Sequence, residues 1–232
     1  MTVAPSITPY VLLNFAGKMR DVSTLAHELG HAVHSIYADK HSISSQHATL
    51  PLAETASTLG EMILFEKLLE KAESADTKRL LLSDKLADSY ATICRQNYIV
   101  KFEITAHEMI QKGCDHNDLS QAWLDNLNKQ FGDSVQVDDI FRYEWSYIPH
   151  IIHTPFYCYA YNFGELLSMA LFARYKKEGA KMVASIESIL EAGGSEDPKE
   201  VLDRVGIDMS AREFWQGSFE LIADWQRQLE AL

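Results

Sequence analysis

Three histidines and a glutamate fall within eight positions of the segment "TLAHELGHAVHSIYAD", which runs from Thr24 to Asp39. The segment contains His27-Glu28-Leu29-Gly30-His31, which fits the pattern H-E-x-x-H. On a helix, residues four apart lie one turn apart on the same face, so both imidazoles can reach a single ion. Neutral imidazole suits Zn²⁺, which takes three protein ligands in catalytic sites and leaves a position for water. The spacing therefore predicts that His27 and His31 bind zinc.

Glu28 lies about 100° around such a helix from His27, beside the ion rather than on it. From there its carboxylate could take a proton from water and pass it to a leaving amine. The alternative is an ordinary helix that carries surface histidines and a glutamate. The neighbouring residues favour the metal site, because a helix buried on most sides rarely carries such groups unpaired. These apolar neighbours are Leu25, Ala26, Leu29, Ala32 and Val33.

A third zinc ligand must come from outside the motif. A third histidine six residues past His31 is absent, and His34 lies another turn along the helix, where we expect it to pack or to support a ligand. The following segment, "LPLAETASTLGEMILFE", offers Glu54 and Glu61, which are seven residues apart and share a face of a helix. Glu54 is the expected ligand, because an unpaired carboxylate among apolar residues would be costly.

The alternatives around this third ligand stay open. Glu61 is either a partner of a zinc ligand or an ordinary exposed residue. Ser57 and Thr58 follow Glu54 by one turn and could orient its carboxylate through a hydrogen bond. The polar segment from His41 to Thr49 lies between the two helices that carry ligands, so we expect it to line a cleft. Its histidines, His41 and His47, are expected to be solvated.

Composition limits the class of protein. The chain has 232 residues, of which 47% are hydrophobic and 23% are charged, enough for one sizeable core. The net charge of −12 argues against a nucleic-acid or anionic-membrane partner. No apolar run approaches the roughly 20 residues that span a bilayer, and the first residues do not read as a signal peptide. The three scattered cysteines, Cys94, Cys114 and Cys158, indicate reduced thiols, so we expect a cytoplasmic protein.

The hydrophobic pattern is helical along nearly the whole chain. We predict a helix capped by Asp21 or Ser23 that ends near Tyr37, a second from Leu52 to Ala72, and a long third helix over residues 76–112. Only "PYVLLNFAG", from Pro9 to Gly17, reads as a strand. The expected architecture is one mostly α domain over residues 1–232, with at most a short strand before the zinc helix.

Four segments carry a resemblance to a known family. They are "YVLLNFAGKMRDVSTLAHELGHAVH", "LPLAETASTLGEM", "IPHIIHTPFYCYAYNFGELL" and "AGGSEDPKEVLDRVGIDMSAREFW". In this order they resemble the oligoendopeptidase F family, zinc metallopeptidases related to thimet oligopeptidase. The resemblance implies a zincin-like helical catalytic domain that hydrolyses internal bonds of short peptides with one zinc ion per chain. It places the zinc ligands on His27, His31 and Glu54 and the catalytic glutamate on Glu28, the same four residues that the spacing selects.

The segment "PHIIHTPFYCYAY" holds the remaining candidate residues. An aromatic core stripe is the alternative interpretation, and we expect Tyr161 to pack, since alternate tyrosines on a helix cannot all face one way. The resemblance implies that His150 and a nearby tyrosine donate hydrogen bonds to the oxyanion of the tetrahedral intermediate. We select Tyr157 for this role, with His153 and Tyr159 as candidate substrate contacts.

The chain departs from the family pattern in one respect. Only 26 residues precede His27, whereas family members carry a large helical region there that forms the other wall of a substrate channel. We therefore expect a C-terminal piece of a longer protein or a shortened form, with exposed apolar surface that favours self-association or a partner. Two hypotheses follow: an active zinc oligopeptidase, or a zinc-binding form too open to hold peptides. A zinc hydrolase acting on a non-peptide amide is a weaker third.

Overall fold

The structure is a computed structural model that describes residues 4–232, and its regular secondary structure is helical. The predicted class, a mostly α protein, is confirmed. The α-helices are α1 (Met19–Tyr37), α2 (Leu50–Ala53), α3 (Thr55–Lys71), α4 (Ala75–Ser89), α5 (Gln96–Gln111), α6 (His116–Phe131), α7 (Pro149–His153), α8 (Tyr159–Glu178), α9 (Ala180–Ala192), α10 (Pro198–Arg204) and α11 (Arg212–Glu230). Short 3₁₀ helices occupy Ala38–Lys40, Gly132–Ser134 and Asp139–Tyr147. None of the helices within residues 4–232 has the length and apolar character needed to cross a membrane.

The chain divides into two compact units. The first comprises Met1–Ala87 and Phe163–Leu232, and the second comprises Asp88–Asn162. Each unit has its own buried cluster of apolar side chains. Leu52, Leu167, Leu171, Met182 and Val201 lie at the centre of the first, and Ile99, Phe102, Trp123, Leu127 and Cys158 at the centre of the second. The single domain over residues 1–232 stays a prediction.

The helix predicted over residues 76–112 is interrupted in its middle. Between α4 and α5 the backbone forms a π-helical segment, Tyr90–Arg95. Such a segment inserts an extra residue into the helical repeat, and the side chains that follow are turned relative to those before it. An apolar spacing of three and four residues continues on both sides of the insertion, so the pattern alone did not reveal it.

The start of α1 differs from the predicted cap. The helix begins at Met19, before both Asp21 and Ser23. Asp21 nevertheless satisfies free backbone donors, because its Oδ2 accepts hydrogen bonds from the N–H groups of Ala16 and Lys18, each at 2.8 Å. A carboxylate in the first turn of a helix is a common reciprocal cap, and it also suits the positive end of the helix dipole.

The strand predicted from Pro9 to Gly17 is wrong. Residues 9–17 have no regular secondary structure, and the described residues contain no strand. The apolar side chains in this segment are turned to solvent: Leu12 is 96% exposed and Phe15 is 61% exposed. A strand is stabilised by pairing with a neighbouring strand, and residues 4–232 supply none, so apolar composition alone did not produce one here.

Helices α1 and α3 pack unusually close together. A Cβ atom added to Gly30 would lie 2.5 Å from both the carbonyl oxygen of Ala56 and the Cα of Ser57. Only a residue without a side chain allows the two backbones to approach so far. This contact sets the distance between the helix that carries His27 and His31 and the start of the helix that follows Glu54.

Candidate metal centre

Three side chains of the first unit bring one ligand atom each to a common point. Nε2 of His27 lies 3.1 Å from Nε2 of His31. Each of these nitrogens lies 3.4 Å from Oε2 of Glu54. The two histidines project from successive turns of α1, and Glu54 lies at the junction between α2 and α3. The sequence-predicted ligands are therefore adjacent in the fold, and the side chains of all three are partly buried.

The dimensions of this triangle fit a tetrahedral zinc ion. Two ligand atoms that each lie about 2.0–2.1 Å from such an ion are about 3.3–3.4 Å apart. The observed separations of 3.1, 3.4 and 3.4 Å match that value. Two imidazoles and one carboxylate also form a donor set typical of catalytic zinc sites. The residues present therefore suit the metal in both chemistry and spacing.

Glu61 is a partner of His27 rather than an isolated exposed residue. Its Oε1 lies 2.5 Å from Nδ1 of His27. When Nδ1 carries the proton and donates a hydrogen bond to this carboxylate, Nε2 keeps its lone pair and faces the other two ligand atoms. A carboxylate behind a metal-binding histidine fixes the orientation of the ring and makes it a more basic ligand. Of the two sequence interpretations of Glu61, this geometry favours the first.

Ser57 holds the carboxylate of Glu54. Its hydroxyl lies 2.9 Å from Oε2 of Glu54 and 2.9 Å from the carbonyl oxygen of the same residue, so both oxygens compete for one O–H proton. The hydrogen bond expected one turn beyond Glu54 is therefore made by Ser57. It limits the rotation of the Glu54 side chain, and this keeps Oε2 directed at the two histidines.

The two histidines of the motif have opposite protonation preferences. Burial lowers the pKa of His27, but the hydrogen bond to Glu61 and the charges of Glu61, Glu54 and Glu28 together raise it above its ordinary value. Burial lowers the pKa of His31, and although Glu54 opposes this effect, nearby His27 adds to it. His31 is therefore the imidazole that stays neutral, as metal binding requires.

A cleft of about 460 Å³ opens beside the ligands. Glu28 and His31 line it, together with His34 and His47. His34 is buried, and this burial, with a smaller effect from His31, lowers its pKa to about 4. His47 is exposed, whereas His41 is half-buried and its Nε2 donates a hydrogen bond to the carbonyl of Glu191 at 2.8 Å. The expectation that both are solvated loop residues rather than ligands stays a prediction. The segment that carries these two histidines lines the cleft, as expected.

The second unit holds the other candidate residues. The rings of His150 and Tyr157 stack with centroids 5.7 Å apart. The hydroxyl of Tyr161 lies 3.3 Å from Nε2 of His150, so Tyr161 does more than pack, whereas the sequence led us to expect packing alone. His153 and Tyr159 are exposed. The roles predicted for His150, His153, Tyr157 and Tyr159 stay predictions.

The turn before Tyr157 is held by a buried carboxylate. Phe156 has a φ of 59°, a left-handed conformation that costs free energy in a residue with a bulky side chain. Its N–H donates a hydrogen bond at 2.7 Å to Oε1 of Glu103, which is 1% exposed. This interaction was not visible in the sequence, because Glu103 lies 53 positions earlier, within α5.

Comparisons with known proteins show which family the chain resembles. Residues 5–221 match the family described as Peptidase family M3. Oligopeptidase PepF of Bacillus subtilis is 32% identical over 227 residues, which are 97% of this chain and 34% of the relative. The chromosomal oligoendopeptidase F of Lactococcus lactis is 30% identical over 96% of this chain and 37% of the relative.

Solved structures show the same fold. A crystal structure of a protein from Chlamydophila abortus matches 99% of this chain and 39% of that chain, with a TM-score of 0.88 and 31% identity. Oligoendopeptidase-F from Enterococcus faecium matches 92% of this chain and 39% of that chain, with a TM-score of 0.78 and 29% identity. The resemblance to oligoendopeptidase F that the sequence motifs indicated is confirmed.

Proposed function

Because this chain belongs to peptidase family M3, we propose that it is a zinc-dependent oligopeptidase that hydrolyses internal bonds of short peptides. The observation that carries the proposal is the triangle of His27, His31 and Glu54, whose ligand atoms lie 3.1–3.4 Å apart. The spacing of the residues and the resemblance to the family each select these same three ligands. We expect one zinc ion per chain.

Each residue around the ion has a separate task. A bound zinc ion would act as a Lewis acid toward the peptide carbonyl. Glu28, which lines the adjoining cleft, is the general base: its carboxylate accepts a proton from water and delivers it to the departing amine. Glu61 accepts a hydrogen bond from the Nδ1–H group of His27 and so fixes the tautomer that leaves Nε2 free.

We assign the oxyanion contacts to His150 and Tyr157. An imidazole and a phenol can both donate a hydrogen bond to the oxygen on which negative charge develops. Loss of one such donor raises the activation barrier by about 3–4 kcal/mol. His150 and Tyr157 carry this role in our proposal, with His153 and Tyr159 as substrate contacts. The stacking of His150 on Tyr157 and the nearby Tyr161 hydroxyl support a preorganised pair.

A second candidate function is a zinc-binding form with weak activity. The chain spans about a third of the length of the curated relatives that it matches. In α1, an apolar row faces solvent on the side away from the ligands: Leu29 is 48% exposed, Val33 44% and Ile36 59%. Residues spaced by four and three positions share one face of a helix, and such a row is normally covered by another polypeptide. A second copy of the chain, or the region that the relatives have in addition, would cover it.

The expected substrates, partners and cellular location follow from the family and the composition. Short peptides are the expected substrates, and the net charge of −12 favours neither nucleic acid nor an anionic membrane as partner. The three cysteines are free thiols, which supports the expectation of a cytoplasmic protein.

Cleavage of an internally quenched oligopeptide tests the function. The purified chain should cleave the peptide at an internal bond, as mapped by mass spectrometry. A chelator should abolish cleavage, added zinc should restore it, and His27→Ala should be inactive under all conditions. Cleavage that persists in the chelator, or removal of terminal residues only, would contradict the proposal. Stoichiometric zinc with negligible turnover would favour the second candidate function.

A further inference from the structure

The cleft beside the ligands has two walls of different origin. Glu28, His31 and His34 come from α1, whereas Gln46 and His47 come from the connection between α1 and α2. Residues adjacent to a reacting centre decide which ligands can approach it. The composition of the second wall therefore decides what can bind next to Glu28.

Two buried polar atoms in these walls have no partner within the described chain. Gln46 is 3% exposed, and its Oε1 accepts no hydrogen bond. His34 is 6% exposed, and its Nε2 takes part in none. A buried polar group without a partner costs about 1–3 kcal/mol, so native structures rarely keep one without a reason. Both atoms belong to residues of one cleft, and a ligand in that cleft would remove the cost.

The wall that carries Gln46 is held from behind by two glycines at the end of α9. The N–H of Gly194 donates a hydrogen bond to the carbonyl of Ser45 at 2.9 Å. A Cβ atom on Gly194 would overlap the carbonyl oxygen of His47, and one on Gly193 would lie 2.8 Å from that of Gln46. Gly193 also has a φ of 53°, which favours glycine. Any other residue at either position would collide with this wall, so the wall or the end of α9 would have to shift.

We propose that this cleft is a subsite for the main chain of an extended peptide, that Gln46 is its hydrogen-bonding residue, and that Gly193 and Gly194 position Gln46. The proposal rests on the proposed peptidase function. An extended peptide presents one N–H and one C=O per residue, and a carboxamide offers one acceptor and two donors to match them. Rotation about the terminal torsion of glutamine, which has a broad minimum, turns either group toward the cleft.

The rest of the lining agrees with a peptide ligand. Ala32, Ala48 and Ala53 contribute short, uncharged side chains, which leave room for a substrate side chain without selecting its charge. Glu28 and His31 lie in the same cleft, so the bound residue would be next to the bond that reacts. The subsite would therefore bind peptides of varied sequence.

Peptide binding, measured without turnover, tests the subsite. The parent protein is zinc-loaded Glu28→Gln, and the probe is an oligopeptide of alanine, phenylalanine and glycine with a fluorophore at its N-terminus. We expect Gln46→Leu to raise the dissociation constant about tenfold, since leucine keeps the volume and removes the hydrogen bond. Gly193→Ala should weaken binding at least as much, although it touches neither ligand nor metal.

Gly179→Ala is the matched control. Gly179 also has a positive φ, 62°, but a Cβ atom there meets nothing within 4 Å. Its substitution should therefore reproduce the backbone strain and leave peptide binding unchanged. Zinc content, measured by elemental analysis, should be equal in all variants. Equal peptide affinity in Gln46→Leu and its parent, or equal losses in Gly193→Ala and Gly179→Ala, would overturn the proposal.

The outcome also separates this subsite from the proposed function. Binding that depends on Gln46 together with no cleavage by the wild-type chain would support the subsite and contradict the function. Chelator-sensitive cleavage by the wild-type chain, together with unchanged peptide affinity in Gln46→Leu, would support the function and contradict the subsite. Failure of the parent to bind the peptide at all would overturn the subsite.

Discussion

Nδ1 of His27 and Oε1 of Glu61 lie 2.5 Å apart, although 34 residues separate them in the chain. The contact joins the middle of α1 to α3 and leaves Nε2 of His27 facing His31 and Glu54. A histidine whose second nitrogen is fixed in this way keeps its ring at the angle that metal binding needs. We therefore expect Glu61 to support metal binding through His27.

Glu61→Gln should weaken zinc binding without abolishing it. The amide oxygen still accepts a hydrogen bond from Nδ1, but the negative charge that raises the basicity of His27 is lost. Loss of such a partner costs about 10–100-fold in metal affinity, and the neutral isostere should fall at the low end of that range. Competition with a chromogenic zinc chelator gives the affinity. Unchanged affinity in both Glu61→Gln and Glu61→Ala would show that the contact does not support the metal.

Gly30→Ala should destabilise the protein and loosen the metal centre together. The added methyl group would lie 2.5 Å from backbone atoms of α3, so the two helices must separate. Overpacking of this kind costs about 1–3 kcal/mol, reduced by the roughly 1 kcal/mol that alanine gains over glycine in a helix. Chemical denaturation measures the free energy of unfolding.

Gly217→Ala is the control for Gly30→Ala. It lies in α11, where the added methyl group would approach one side-chain atom, the Cβ of Ala173, at 3.2 Å, and no backbone atom. This variant should keep full zinc affinity. A Gly30→Ala protein with wild-type stability and wild-type zinc affinity would mean that the close packing of α1 on α3 does not position the ligands.

His34 should make the metal-free protein less stable as the pH falls from about 6.5 toward 4. Burial lowers the pKa of this imidazole to about 4, so over this interval the unfolded chain binds a proton that the folded chain does not. Stability conferred by neutral His34 is complete above its unfolded pKa and declines below it, by at most about 3 kcal/mol at pH 4. His34→Asn should show a smaller decline between pH 7 and pH 4 in the same denaturation series. Parallel pH profiles of the two proteins would exclude this role.

Tyr157→Phe should lower kcat with little change in KM. The phenol would contact oxygen most strongly in the transition state, and removal of such a donor costs about 3–4 kcal/mol of barrier, or about two to three orders of magnitude in rate. Tyr161→Phe is the informative comparison, because the Tyr161 hydroxyl lies 3.3 Å from Nε2 of His150 and acts through that ring. A larger kcat defect in Tyr161→Phe than in Tyr157→Phe would move the oxyanion contact to Tyr161.

The sequence predicted the zinc triangle because local rules determine most of it. The i, i+4 spacing places His27 and His31 on one face of any helix, and a carboxylate at Glu54 among apolar residues requires a partner. The sequence left Glu61 undecided between two interpretations, since only the crossing of α1 and α3 shows that it reaches His27. The long-range contacts of Gly193 and Gly194 with residues 45–47 were invisible for the same reason: a glycine pair reads as a helix end whatever lies behind it.

Errors in the fold have a similar cause. Apolar residues from Pro9 to Gly17 suit a strand, but pairing requires a second strand that residues 4–232 do not provide. The π-helical turn at Tyr90–Arg95 interrupts the α-helix, although the hydrophobic pattern continues with helical spacing on both sides of it. In both places the outcome depends on neighbours rather than on the local residues.

Glu28→Gln tests the central claim most directly, since it separates metal binding from chemistry. Glutamine keeps the size of the side chain but cannot accept the proton, so the variant should retain one zinc per chain by elemental analysis and should cleave an internally quenched oligopeptide at least about 100-fold more slowly than the wild type. Full zinc content with the cleavage rate reduced in this way is the predicted result. A Glu28→Gln protein that retains its zinc and cleaves the peptide at the wild-type rate would contradict the account.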